Sequence, residues 1–366
     1  MTLMHQKQTI EDTVADQVLQ WDREHPITVY LTSGYGPPLR WTLHEFKPRT
    51  DDLLGQFQYL QDPATGLQQR VHKYSPPFGL LKLDSNDDEY LNTYLETLLG
   101  SEWLWDMGWT FFEEESQVDE DNFQARLLAS MCMLFEGTND HDVRKIDPSQ
   151  RSSALIYLQL KHILKEILRM MTITYIMGHT LTIVEETLPS VLDAVRYSPK
   201  GQTQPFVSPR LANRQLKFYF AVLRTNIYEK ILKWQQQTLH TSGRKEDTWL
   251  LSFCAMLGFA MVLEEVQRTI QIQADAKAAK GEMTWDQANT EASNACERID
   301  DRFKLLVGLF QCKYRDKKWS DRGSFGPQTP SFNDAVTNEF LHNVRELLED
   351  KSKLLLVSSI IVVLRC

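Results

Sequence analysis

The stretch SPRLANRQLKFYFAVLRTNIYEKILKWQQQTLHTSGRKEDTWLLSFCAMLGFAMVLEEVQRTIQIQ, residues 208–273, sets the fold class. Ser208 is placed as an N-cap with Pro209 at the first helical position. Beyond them Leu216, Tyr219, Phe220, Leu223, Ile227, Ile231 and Trp234 recur three and four apart, one stripe of a long amphipathic helix. Thr241, Ser242 and Gly243 then punctuate the chain. A second helix repeats the pattern through Trp249, Leu250, Phe253, Met256, Leu257, Ala260, Leu263, Val266 and Ile270. The short turn makes the pair an antiparallel helical hairpin, which leaves little room for a catalytic loop.

Outward from this hairpin, the second half continues in long helices. Residues 154–177 are apolar on nearly every side, with Leu155, Leu158, Ile163, Ile167, Met170, Met171 and Ile176, and are expected to form a central buried helix. Glu166 and Arg169 argue against a membrane span there. Gly178 breaks that helix, and a short one is expected to about residue 188. The second hairpin helix turns alanine-rich at 274–280 and ends at Gly281, so its tip is expected in solvent. Thr284 and Gln287 form a capping box, and Ala288, Ala292, Cys296, Ile299, Phe303, Leu306 and Phe310 supply the next stripe. A last helix, 332–348, turns Val336, Phe340, Val344 and Leu347 inward.

The first half is irregular. Residues 27–31 and 39–46 alternate like a small hairpin around the GYGPP turn, and 51–60 reads as a short helix. Residues 74–84 are proline-broken and extended, and helices are expected at 88–99 and 122–135. The resulting expectation is a mainly α chain, an irregular bundle of long antiparallel helices with a small β-hairpin-like segment near its N-terminus. Its parts are a flexible N-terminus at 1–26, a mixed region at 27–136, a helical core at 150–350 and an apolar tail at 351–366. A polar linker at 137–149 marks the main boundary.

The 366 residues carry a net charge of −9, unlike the basic footprint of a protein built to hold nucleic acid. Residues 1–150 hold 11 basic and 26 acidic side chains, and the remainder holds 29 and 23. An acidic segment folded across a basic body and two independently solvated surfaces both fit this asymmetry. The five cysteines, Cys132, Cys254, Cys296, Cys312 and Cys366, are never at metal-ligand spacing, and their number is odd. Neither a disulfide framework nor a zinc site is expected, and a reducing compartment fits. The N-terminus has no signal or transit character. The run LLLVSSIIVVL, 354–364, is too short to span a bilayer. It is read as a tucked core segment, a partner-binding tail or an error of gene structure.

Motifs that carry chemistry are absent: no nucleophile elbow, no phosphate-binding glycine loop, no paired histidines, no redox cysteine pair. Gly34 and Gly36 lack a third glycine and a following helix, so they mark a turn. His179 beside Glu185 and Glu186 is the nearest approach to a site. A helix junction whose histidine caps a carbonyl outweighs a metal or acid/base role, since no second histidine is near. His141 reads as a solvated loop residue. The acidic-aromatic segment 113–121 has the mix used by some activation segments, although a solvated loop is the more frequent outcome of such a composition. The basic CKYRDKKW at 312–319 is one small cluster, insufficient for a specific DNA site. No catalytic, cofactor-binding or metal residue is therefore assigned, and no cofactor is expected.

The wording of several segments carries a resemblance. YLTSGYGPPLRWTLHEFKPR (30–49), KYSPPFGLLKLD (73–84), FEEESQVD (112–119), LRMMTITYIMGHTL (168–181), SPRLANRQLKF (208–218) and QRTIQIQADAK (267–277) occur in this order. From about residue 27 to 348 the chain resembles the regulatory part of fungal six-cysteine binuclear zinc cluster transcription factors. That resemblance implies a helical regulatory domain, a nuclear location and action through protein partners, including a homodimer or a heterodimer with a full-length relative. Such proteins read DNA through an N-terminal cluster of six cysteines holding two zinc ions. Here no Cys-x-x-Cys occurs and the first cysteine is Cys132, so DNA binding is carried to no residue of this chain. Either upstream coding sequence is missing or the chain is a shortened relative. Neither a membrane nor catalysis is expected. A helical scaffold unrelated to transcription, and a helical enzyme with a pocket near His179, remain the alternatives.

Overall fold

The computed structural model describes residues 17–50, 53–61, 68–81, 85–100, 102–104, 106–107, 123–138, 151–196, 208–241, 245–314 and 335–349. The readings at 113–121, 141, 315–319 and 351–366, and nearly all of the 137–149 linker, lie outside them. The fold is mainly α, with antiparallel strands near the N-terminus. The strands are β1 (Val18–Trp21), β2 (Ile27–Thr32), β3 (Leu39–Pro48), β4 (Gly55–Gln61), β5 (Gln68–Tyr74), β6 (Phe78–Gly79) and β7 (Thr182–Ile183). The helices are α1 (Ser85–Leu98), α2 (Phe123–Gly137), α3 (Arg151–Gly178), α4 (Leu188–Asp193), α5 (Arg210–His240), α6 (Lys245–Ala279), α7 (Trp285–Tyr314) and α8 (Ala335–Glu349). The chain forms two compact units, one of residues 1–98 and 175–224, the other of residues 99–174 and 225–366. It passes between them after Leu98, within α3 and within α5.

In the first unit the expected hairpin is present. β2 pairs antiparallel with β3 from Ile27↔Leu43 to Leu31↔Leu39. Alternation decides its faces: Leu39, Trp41 and Leu43 are buried, while Arg40 and Thr42 are exposed. The sheet exceeds the expectation. β1 adds at Trp21↔Phe46, inside the stretch read as flexible, β6 adds at Glu45↔Phe78 and β7 adds at Leu31↔Ile183. The short helix expected at 51–60 is instead β4, paired in register with β5 from Gly55↔Tyr74 to Gln61↔Gln68. The period-2 order of QFQYLQ favours a strand once a partner segment follows, a tertiary override of local propensity. The helix expected up to residue 188 likewise gives way to β7 and a single 3₁₀ turn, Glu185–Thr187, before α4. The β-branched Thr180, Thr182, Ile183 and Val184 suit an edge strand there.

Ser208 does not cap α5. Its hydroxyl donates to the Leu181 carbonyl at 2.8 Å and accepts from Asn213 Nδ2 at 2.6 Å. The first helical amide, that of Arg210, is satisfied instead by Ser75 Oγ at 2.7 Å, a residue 135 positions away in sequence. Gln215, buried within the same helix, exchanges two hydrogen bonds with the backbone of Leu80, both 2.8 Å. These bonds tie the start of α5 to the residues that follow β5, β6 and α3. The crowding is such that a Cβ at Gly79 would meet Leu211 and Trp21 at 2.8 Å each.

In the second unit α5, α6 and α7 run antiparallel in succession. Gln235 Nε2 donates to the Ser252 carbonyl at 3.4 Å and Tyr228 lies 4.8 Å from Phe259, ring to ring. Those two pairings recede from the turn in step, as an antiparallel hairpin requires. Tyr314 joins Thr248 and Ser252 at one end of the next pair, and Gln267 meets Asp300 at 2.7 Å further along. The helix buried on every side is α6, not α3: every residue from Trp249 to Val262 is buried, whereas Leu155 and Leu158 of α3 stand 58% and 43% exposed. The small residues Ala255, Gly258 and Ala260 permit that. A Cβ at Gly258 would come within 2.4 Å of Ile167 of α3. α8 packs on α2, where Gly137 accommodates Val336.

The α6–α7 turn forms as its sequence indicates. Gly281 has φ +74°, its N–H meets the Ala278 carbonyl, and the Glu282 N–H meets the Lys277 carbonyl, a Schellman ending. Thr284 and Gln287 exchange the two bonds of a capping box at 3.0 and 3.2 Å. The tip is only half in solvent. Ala274, Ala278, Ala288 and Ala292 form their own buried cluster, an alanine seam.

Candidate functional site

His179 sits where α3 ends. Its Nδ1 lies 2.8 Å from the Tyr175 carbonyl and its ring stacks on that of Tyr175 at 3.9 Å, so the imidazole caps the helix and lies flat on its last turn. Glu185 and Glu186 are exposed on the 3₁₀ turn. Among the described residues no three His, Cys, Asp or Glu side chains come together as metal ligands. The expected carbonyl-capping role is the one the geometry displays.

The GYGPP segment is a clamped turn. Gly34 and Gly36 have φ of +90° and +68°, which side-chain-bearing residues rarely adopt. Three tyrosines hold it: Tyr35 donates to the Leu98 carbonyl at 3.0 Å, Tyr94 to Pro37 at 3.1 Å and Tyr175 to Ser33 at 3.3 Å. Tyr35 also meets Tyr175 edge to face at 5.8 Å. Burial pushes the Tyr94 phenol well above its usual range, so it stays a neutral donor.

Of the basic segment at 312–319, Cys312, Lys313 and Tyr314 are described. The Lys313 ammonium donates to the carbonyls of Thr238 and Thr241, capping the end of α5, and lies 5.4 Å from the Tyr314 ring centre. That lysine closes a helix.

Two concave surfaces were not foreseen from the sequence. In the first unit a cleft of about 400 Å³ is lined by Arg40, Trp41, Thr42, His44, Leu80, Leu81, Asp87 and Tyr90. Trp41 and Tyr90 face each other at 5.7 Å. His44 Nδ1 lies 3.0 Å from the Asp22 carbonyl, which fixes that nitrogen as the donor and leaves Nε2 for another partner. The alternation of exposed Arg40 and Thr42 with buried Trp41 was readable, but the segments at Leu80 and Tyr90 that wall the cleft are joined to it only by folding. In the second unit a groove of about 360 Å³ follows the alanine seam, with Lys277 and Arg298 against Glu291. Both are open concave surfaces.

The family model described as KpeA transcription factor matches residues 1–358. No curated protein and no solved structure matches the chain.

Proposed function

The chain belongs to the KpeA transcription factor family, and from that premise we propose that it is a helical regulatory protein acting on transcription through protein partners, without catalysis and without a DNA-reading element of its own. The family match across residues 1–358 supports the transcriptional part of this reading. The finer assignment is to regulatory regions like those of fungal binuclear zinc cluster factors, supported by the ordered segments from residue 30 to residue 277. Its cysteines support partner action over direct DNA reading. None of the five stands in a Cys-x-x-Cys pair, and Cys132 and Cys254 are buried with thiols held protonated by desolvation, the opposite of zinc-binding thiolates. The partners include a second copy or a full-length relative, and the site of action is the nucleus.

Two measurements test this. The chain fused to an unrelated DNA-binding domain is expected to shift a reporter bearing that domain's site, in either direction. The purified chain alone is expected to hold no stoichiometric zinc and to show no sequence-selective retention of DNA. Zinc at one or two equivalents, or a DNA footprint, overturns the reading. A reporter that ignores the fusion favours a scaffold unrelated to transcription.

A further inference from the structure

Among the described residues, strand β3 is paired on only one edge through residues 39–43. β2 accounts for that stretch, while β1 meets β3 at residues 46–48 and β6 meets it at 44–45. Successive residues of a strand aim their N–H and C=O groups at opposite edges. Among the described residues, the groups of residues 40–42 that point away from β2 meet no backbone partner. The 400 Å³ cleft lies at this place. Side chains alternate between the faces of a strand, so a cleft lined by Arg40, Trp41 and Thr42 in a row faces the strand's edge rather than one of its sides. Leu80 and Leu81 form a second wall, and Asp87 and Tyr90 of α1 a third.

We propose that this cleft binds an extended peptide segment of a partner protein, which adds as a strand beside β3 at residues 40–42. The inference rests on the partner-binding reading above and names its mode. An open strand edge offers donors and acceptors at about 3.3 Å per residue, the repeat of another extended chain, and edges of this kind are natural templates for strand addition. Charge and shape define the peptide. Arg40 is exposed on the strand, with His44 two pairs along, whereas Asp87 lies in the first turn of α1, where the helix dipole already favours its charge. The peptide therefore places a carboxylate opposite Arg40. Its alternate residues are aromatic or aliphatic and lie against Trp41, Tyr90, Leu80 and Leu81. An acidic and apolar alternation is the recognised pattern.

Panning a random peptide library displayed on phage against the whole chain, then measuring the selected sequences as synthetic peptides by fluorescence anisotropy, tests the assignment. Selected peptides are expected to alternate Asp or Glu with large apolar residues. Their affinity falls about tenfold or more in Arg40→Glu and in Tyr90→Lys, both at exposed positions, and is unchanged in Leu155→Asp on α3. Methylating every second backbone nitrogen of the peptide abolishes binding, and amide exchange slows at residues 39–43 when the unmodified peptide is bound. Binding that survives methylation, protection located elsewhere, or a library that yields no peptide sensitive to Arg40 overturns the proposal. The reporter fusion separates the two readings. A reporter response unchanged in Arg40→Glu and Tyr90→Lys sinks the cleft alone. Cleft-dependent peptide binding by a chain whose fusion leaves the reporter silent sinks the transcriptional reading alone.

Discussion

Glu265 shows how a single buried charge links this fold to pH. It is 8% exposed, and burial pushes its carboxyl up to about 7, although Arg268 at 2.8 Å pulls in the opposite direction. A carboxyl raised above its unfolded value is protonated in the folded state between about pH 4.5 and 7, so the folded state binds more protons and stability declines as pH rises through that window. Glu265→Gln is therefore expected to gain more stability at pH 8 than at pH 5, by up to about 3 kcal/mol less the lost pairing with Arg268, and so to raise Tm more at pH 8. Melting curves at the two pH values measure it, and equal shifts refute it. Asn213 is a second such residue. It bonds both backbone groups of Leu181 and the hydroxyl of Ser208, so Asn213→Ala leaves buried groups unpaired at a cost of roughly 1–3 kcal/mol in chemical denaturation. Thiol reactivity divides along burial. Of the four described cysteines, exposed Cys312 is expected to take iodoacetamide first in the native protein, with Cys132 and Cys254 protected until unfolding. Mass spectrometry of tryptic peptides reads the order.

At the scale of elements, what the sequence made legible was local. The capping box at Thr284, the Schellman glycine Gly281, the GYGPP turn and the β2–β3 hairpin depend on neighbours a few residues away, and each formed where its residues stand. Thr284→Ala is expected to cost about 1 kcal/mol, read as a small Tm loss without change in helix content. What failed had a distant cause. Ser208 has the composition of a cap, yet the Leu181 carbonyl and Asn213 claim its hydroxyl while Ser75 reaches the first amide of α5. Residues 51–60 pass for a helix until β5 arrives to pair with them. The exchange of roles between α3 and α6 has the same origin, because periodicity ranks apolar faces without counting the neighbours available to cover them. Gly258 marks the tightest of those contacts. Gly258→Ala drives a methyl into Ile167 and is expected to destabilise by roughly 1–3 kcal/mol despite alanine's better helix propensity.

Across the whole molecule, the two compact units are interleaved along the chain, since residues 175–224 complete the unit begun by residues 1–98. A fragment ending at Leu98 lacks Ser208, Arg210 and Gln215, which hold Ser75 and Leu80. It is expected to melt without cooperativity and to bind a hydrophobic dye. A sharp melt would show that the first unit folds without α5. The cleft at β3 belongs to this scale too, because its walls come from a strand, the turn after β6 and the first turns of α1. The sequence by itself determined the helical class, the hairpin of α5 and α6, the turns and caps, and the kinship in wording with transcription regulators. Each of these is written in spacing of a few residues or in residue type. Only the tertiary structure decided which helix is central, where the open strand edge lies and which side chains meet across it. Those outcomes turn on contacts between segments 135 positions apart, as at Leu80 and Gln215, or more, as at Leu31 and Ile183, and no local periodicity records which distant segment will occupy a given face.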